Sequence, residues 1–198
     1  MKTPIALAAI GFLLTASAAS AQAPPRTRGT ITAVSGDRIE IKTRQGATLT
    51  VTLAADLKVL GATHARLSDI KPNSFIGTAT APQPDGTLRA LEVTVFPESL
   101  RGTGEGHYDW DLGPSSTMTN GAVGALVGST GRTMTVTYKG GEKQIVVPAD
   151  IPVVDLEPGT RALLTPGARV VVLGPKGADG AVAGKLVIAG ENGVVPPM

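Results

Sequence analysis

Asp56, Pro72 and the pair Asp85-Gly86 each recur 94 residues further along the chain, as Asp150, Pro166 and Asp179-Gly180 (150 − 56, 166 − 72, 179 − 85). Turn residues fix where a chain reverses, so several of them in one register mean that two stretches fold by one plan. Around the first of them, Leu53-Ala-Ala-Asp56-Leu-Lys-Val59 answers to Val147-Pro-Ala-Asp150-Ile-Pro-Val153. Gly46 lands on Gly140 at the same offset, and one small gap brings Ile39 and Ile41 onto Met134 and Val136. The chain therefore reads as two copies of one small module, residues 26–98 and 121–193.

Each copy reads as β-structure. Gly29 to Val34, Arg38 to Thr43, Thr48 to Leu53, Phe75 to Ala81 and Leu88 to Phe96 alternate apolar with polar residues and are rich in Ile, Val and Thr. Period two with β-branched residues describes half-buried strands. Ser35-Gly36-Asp37, Gln45-Gly46, Pro72-Asn73 and Asp85-Gly86 supply the turns between them. No window carries a helical stripe; Ala62 to Ile70 is at most a short helix or turn. Five strands in about 70 residues suit a small closed barrel better than an open sheet with two bare edges. The expected fold is all-β, two tandem five-stranded OB-like or SH3-like barrels. Residues 22–98 form the first unit, 99–120 an ordered connection, and 121–198 the second unit with a short C-terminal tail. Modules this small are expected to pack against each other for stability.

Residues 1–21 are expected to lie outside the fold. Met1-Lys2 is a basic start, Pro4 to Ala16 an apolar run too short to span a bilayer, and Ala19-Ser20-Ala21 a small-x-small cleavage signature before Gln22. This describes a secretory signal peptide cleaved after Ala21 and a periplasmic location. Beyond Gln22 the apolar runs are strand-sized, so the processed chain is not expected to be an integral membrane protein. With no Cys in the sequence, an exported chain of this kind has only its hydrophobic core to stabilise it.

Small barrels often bind nucleic acid, which calls for a basic groove and exposed aromatics on which bases stack. The first copy carries nine Lys/Arg against seven Asp/Glu, the second seven against six, and aromatic residues make up 3% of the chain. Nucleic acid is accordingly not an expected partner.

The connection breaks this composition. Residues 100–120 gather one of two His, one of two Tyr and the single Trp, with Glu105, Asp109 and Asp111 against one cation, Arg101. A flexible linker has no use for large aromatics, whose apolar area is stabilising only when buried. Tyr108 and Trp110 are therefore expected to pack into a seam between the barrels, where a ligand or partner would also sit. A second reading is a metal: His107, Asp109, Asp111 and Met118 offer imidazole, carboxylates and thioether to zinc, or to copper when Met118 joins, and Glu105 or His64 could fold in. No second His stands at i+2 or i+4, and the EF-hand pattern fails at Gly113 and Asn120. Gly102-x-Gly104-x-Gly106 lacks the Lys-Ser/Thr ending of a phosphate loop, no Gly-x-Ser-x-Gly elbow is present, and Ser115 or Ser116 lies too close in sequence to His107 for triad geometry. The chain does not read as an enzyme.

Arg101-Gly-Thr-Gly-Glu-Gly-His107, Trp110-Asp-Leu112, Pro114, Ser116-Thr-Met-Thr-Asn120, Ile70-Lys-Pro72 and the ending Val195-Pro-Pro-Met198 resemble a family of short exported proteobacterial proteins of unknown function with OB-like β-barrel repeats. The resemblance covers essentially the whole chain. Its members are often labelled metal ABC transporter permease, yet a permease needs several spans of about 20 apolar residues, and none follows Gln22. What the label implies here is at most a neighbour of metal transport. The family pattern has His-Arg-Pro-Trp-Asp where this chain has His107-Tyr-Asp-Trp-Asp111, so the resemblance leaves Asp109 outside the pattern and reduces the metal set to His107, Asp111 and Met118. The reading that results is a periplasmic, non-enzymatic binding or envelope-accessory module, its partner an unknown protein or small ligand. The alternative is a metal-binding accessory protein using copper or zinc.

Overall fold

The computed structural model describes residues 25–127 and 132–197; the expected signal peptide and its cleavage point lie outside them. The described residues are all-β. The first copy supplies β1 (Arg26–Ser35), β2 (Arg38–Thr43), β3 (Thr48–His64), β4 (Phe75–Pro82), β5 (Leu88–Ala90) and β6 (Val93–Val95). The connection supplies β7 (Gly106–Asp109). The second copy supplies β8 (Thr117–Val127), β9 (Thr133–Tyr138), β10 (Gly141–Val146), β11 (Val153–Pro158), β12 (Arg169–Leu173) and β13 (Val182–Gly190). The stretch expected as a short helix or turn, Ala62 to Ile70, contains a single 3-10 turn, Leu67–Asp69, and Arg161–Leu163 repeats it in the second copy. Among the described residues no helix is long and apolar enough to cross a membrane.

Five strands close one barrel in the order β1-β2-β3-β13-β12: β1, β2 and β3 form an antiparallel meander, β12 pairs with β1, and β13 pairs with β12 and lies parallel to β3. A second ring closes as β8-β9-β10-β5-β4, again with one parallel joint, β5 to β10. Each ring thus takes three strands from one copy and two from the other. The sequence reading let 22–98 and 121–198 each form its own barrel, and the pairing exchanges their last strands. Alternation specifies which face of a strand is buried, not which copy supplies its neighbour.

The exchange is symmetric. Val182 beside Val51 repeats as Leu88 beside Ile145, and Val187 beside Val59 repeats as Val93 beside Val153. Every residue has moved by 94 (182 − 88, 145 − 51, 187 − 93, 153 − 59). The antiparallel pairing of β3 with β11 is its own image, because Leu156 lies opposite Ala62 and 156 − 62 is again 94. A pseudo-two-fold axis passes between those two residues.

Three clusters follow from this layout. Ile31, Ile39, Ile41, Val51, Val170 and Val187 fill the first barrel; Val123, Met134, Val136, Ile145, Ile76 and Val93, their repeat counterparts, fill the second. Leu60, Ala62, Val154, Leu156, Val171 and Ile188 form the third, on the faces that look away from the first barrel's interior and toward the axis. Residues 59–62 of β3 are buried on both faces, since one face lines a barrel and the other the seam. That run therefore lacks the alternation that marks Thr48 to Leu53.

Candidate functional site

The symmetry breaks at the connection. After the 3-10 turn Glu98–Leu100 the chain passes through Gly102, Gly104 and Gly106, all at positive φ (83°, 59° and 144°), a backbone that side-chain-bearing residues adopt only at a cost. Gly104 also sits close under its neighbours: a Cβ there would lie 3.1 Å from Asn120 Nδ2 and 3.2 Å from Tyr108 Oη. The glycine spacing is thus a backbone requirement that lets β7 lie antiparallel along β8, His107 opposite Thr119 and Tyr108 opposite Met118. Beyond β7 a turn is tied by Trp110 N–H to Ser116 O (2.8 Å), Ser116 Oγ to Trp110 O (2.9 Å) and Leu112 N–H to Ser116 Oγ (3.2 Å).

This turn docks Trp110 and Asp111 onto β1. The Arg26 guanidinium lies over the Trp110 ring, 3.4 Å from its centroid, and the Tyr108 ring stands 5.9 Å from that of Trp110. Asp111 accepts from Arg26 Nε at 3.1 Å and from both terminal nitrogens of Arg28 at 2.9 and 2.8 Å. Partial burial raises the Asp111 pKa, but the hydrogen bonds from Arg28 and then Arg26, with their charges, outweigh it and hold the carboxyl at about 2. Burial pushes the Tyr108 hydroxyl up, against the opposing charge of Arg26. Asn120 Nδ2 donates to Tyr108 Oη at 3.2 Å.

The five residues singled out from the sequence thus separate into two groups. Tyr108, Trp110 and Asp111 come together with Arg26 and Arg28. His107 and Met118 do not join them as a ligand set. His107 and Tyr108 are successive on β7 and point to opposite faces. The His107 Nδ1 lies 2.9 Å from the Thr119 hydroxyl, and its ring is stacked on Tyr138 with centroids 6.2 Å apart. Burial, and then the charge of Lys143, lower the His107 pKa against the pull of Asp109. Met118 is fully buried. Among the described residues no group of three or more His, Asp or Glu is placed to hold a metal ion.

Sequence reading missed Glu92, which is 1% exposed. Its Oε1 accepts from Ala79 N–H at 3.0 Å and its Oε2 from the Thr94 hydroxyl at 2.9 Å. Desolvation raises its pKa to about 7, although Thr94, the Ala79 amide and the charge of Arg28 all favour the ionised form. The signal was available. The repeat counterpart of Glu92 is Leu186 (186 − 92 = 94), and a carboxylate standing where its copy carries a leucine is a candidate for function rather than packing.

Glu92 also helps line a cleft of about 420 Å³ beside the docked turn. Leu91, Leu112, Val154 and Val195 give it apolar walls, and Arg44 and His64 bring polar groups to it. Leu112 reaches the cleft because the Trp110–Ser116 turn is anchored on β1. Arg44 follows β2 and His64 ends β3, both strands of the first barrel, while Glu92 stands between β5 and β6. The cleft can accept an apolar body and meet one polar head with guanidinium and imidazole N–H donors. Compared with known proteins, the chain matches no family model, no curated protein and no solved structure, and its chemistry is read from its own residues.

Proposed function

We propose that this chain is a non-catalytic binding module of the periplasm, with its ligand or partner held at the inter-barrel seam beside Trp110. The observation that carries the reading is the departure from two-fold symmetry. The connection uses its rare aromatics and Asp111 to anchor one turn, and that turn supplies Leu112 as a wall of the cleft that Glu92 helps to line. Binding is favoured over catalysis because both Glu92 oxygens already accept hydrogen bonds from Ala79 and Thr94, and His107 is paired with Thr119 on another face. A general acid or base needs a free atom within reach of substrate.

The test uses the processed protein and 1-octanol as a neutral apolar probe, followed by calorimetry. Saturable binding at one site is expected, and Val195→Phe, a substitution at a wall residue 42% exposed, should abolish it by filling the cleft. Absence of saturable binding, or binding that Val195→Phe leaves unchanged, overturns the seam as the site. For the location, intact mass of the protein recovered from a periplasmic extract should correspond to a chain starting at Gln22; recovery of the unprocessed chain from the cytoplasm alone would refute it.

A further inference from the structure

We propose that the cleft takes a small monocarboxylate with an apolar body, its head group bound by Arg44 and His64. This rests on the seam reading above and names the ligand class. Leu91, Leu112, Val154 and Val195 dominate the walls, so a polar body would lose hydration there without finding partners. The head group is decided by which charges around the cleft are already engaged. Asp111 is taken up by Arg26 and Arg28, and Glu92 by Ala79 and Thr94. Asp111 is neutralised by two guanidinium groups, and Glu92, 1% exposed and bonded at both oxygens, presents almost no surface to a head group. Arg44, by contrast, is exposed and has no ion pair or side-chain hydrogen bond among the described residues, and the same is true of His64.

An unpaired guanidinium at the mouth of an apolar cleft fits a carboxylate in particular. Its planar fork matches two oxygens in one plane, and a charge-assisted pair is about twice as strong as a neutral one. A phosphate monoester carries a charge of about −1.5 to −2, which the single guanidinium of Arg44 only partly offsets. A primary amine meets Arg44 as a like charge. The order of affinity that follows is carboxylate first, neutral alcohol next, and amine last.

The experiment titrates the processed protein at pH 7.5 with octanoate, 1-octanol, octylamine and octyl phosphate in separate calorimetric runs, and repeats each with Arg44→Gln. Arg44 is on the surface, so the variant is expected to fold as the parent does. Octanoate should bind about tenfold more tightly than octanol, the size of one charge-assisted hydrogen bond. Arg44→Gln should remove that advantage while octanol still binds saturably. The inference is overturned if octanol equals octanoate, if octylamine or octyl phosphate binds more tightly than octanoate, or if Arg44→Gln leaves octanoate binding intact. In those cases the binding of octanol keeps the seam reading standing. Failure of all four ligands to bind takes both down together.

Discussion

Glu92, between β5 and β6, holds a carboxyl that is 1% exposed and bonded to Ala79 and Thr94. Alternation along Leu88 to Phe96 announces a strand, but it cannot tell that the residue between β5 and β6 is turned inward with its carboxyl. Trp110 and Tyr108 were legible because large aromatics in a polar connection have to bury their area somewhere. His107 and Met118 were misleading as a pair, since closeness in sequence hides the fact that β7 and β8 direct them to different faces. Burial of Glu92 carries a consequence for stability. Its pKa rises from an ordinary 4.5 to about 7 in the folded chain, so between those values the folded state binds more protons than the unfolded one. Stability contributed here is greatest below pH 4.5 and is lost as pH rises through 7, by at most about 3 kcal/mol for a shift of 2.5 units (7 − 4.5). His107, whose pKa is lowered, acts in the opposite sense as pH falls below its ordinary range, and Asp111 matters only nearer pH 2. Glu92 is therefore isolated by difference. Urea unfolding of the wild type and of Glu92→Gln, which retains the shape and never ionises, should show the variant gaining on the wild type by about 1–3 kcal/mol between pH 5 and pH 8. A gain that does not change with pH would mean that Glu92 keeps its charge on folding.

At the scale of the element, the turns and β2 were legible, whereas the stretch Leu88 to Phe96, expected as one strand, is broken into β5 and β6, and β3 was expected to be far shorter than it is. Arg38–Thr43 appears in the structure with the bounds its alternation announced, and the 3-10 turn Leu67–Asp69 falls inside the stretch announced as a short helix or turn. Strand β3 runs on to His64, far past the Leu53 at which alternation stops, because a strand buried on both faces has no polar side to display. The first strand of each copy holds a further constraint. A Cβ on Gly29 would meet the Ile41 side chain and the Lys42 carbonyl, and one on Gly121 the Val136 side chain and the Thr137 carbonyl. These are the same neighbours in the two copies, displaced by 95 (136 − 41, 137 − 42). The backbones of β1 with β2 and of β8 with β9 approach there more closely than a side chain allows, next to the register shifts that begin at Ile31 and Val123. Gly121→Ala should accordingly destabilise the chain by about 1–3 kcal/mol, the usual cost of overpacking against atoms that cannot move aside. Gly124→Ala, whose Cβ would come no nearer than 3.7 Å to any neighbour, should leave the unfolding midpoint within about 0.5 kcal/mol of the parent. Equal effects from the two substitutions would remove the close approach as the reason for glycine in the first strand.

At the scale of the whole molecule, the repeat made the inventory of strands legible and left their partnership undetermined. A copy that closes on itself and a copy that lends its last strands to its twin bury the same residues, so the hydrophobic pattern is identical for both. What distinguishes them is only which chain segment lies across each parallel joint, Val182 on Val51 and Leu88 on Ile145. Because both joints and the β3–β11 pairing tie one copy to the other, neither copy holds a complete ring. All thirteen described strands belong to one hydrogen-bonded system, and the two barrels are expected to unfold as one cooperative unit, with backbone and Trp110 signals coinciding. The exchange makes a sharper prediction. When the chain is divided after Gly102, in an exposed part of the connection, the half ending there should lack a closing partner for β3, and the other half one for β10. Each half alone should show little fixed tertiary structure, with open strand edges that favour aggregation. Mixed at equal concentration, they should form a one-to-one complex with the β-sheet circular dichroism of the intact protein, and Trp110 should regain its protected emission only in the mixture. Two halves that fold independently and stay monomeric when mixed would place each barrel within its own copy and refute the exchanged topology. Association of this kind follows from the strand order alone: the first half presents the edges that β12 and β13 fill, and the second half those that β4 and β5 fill.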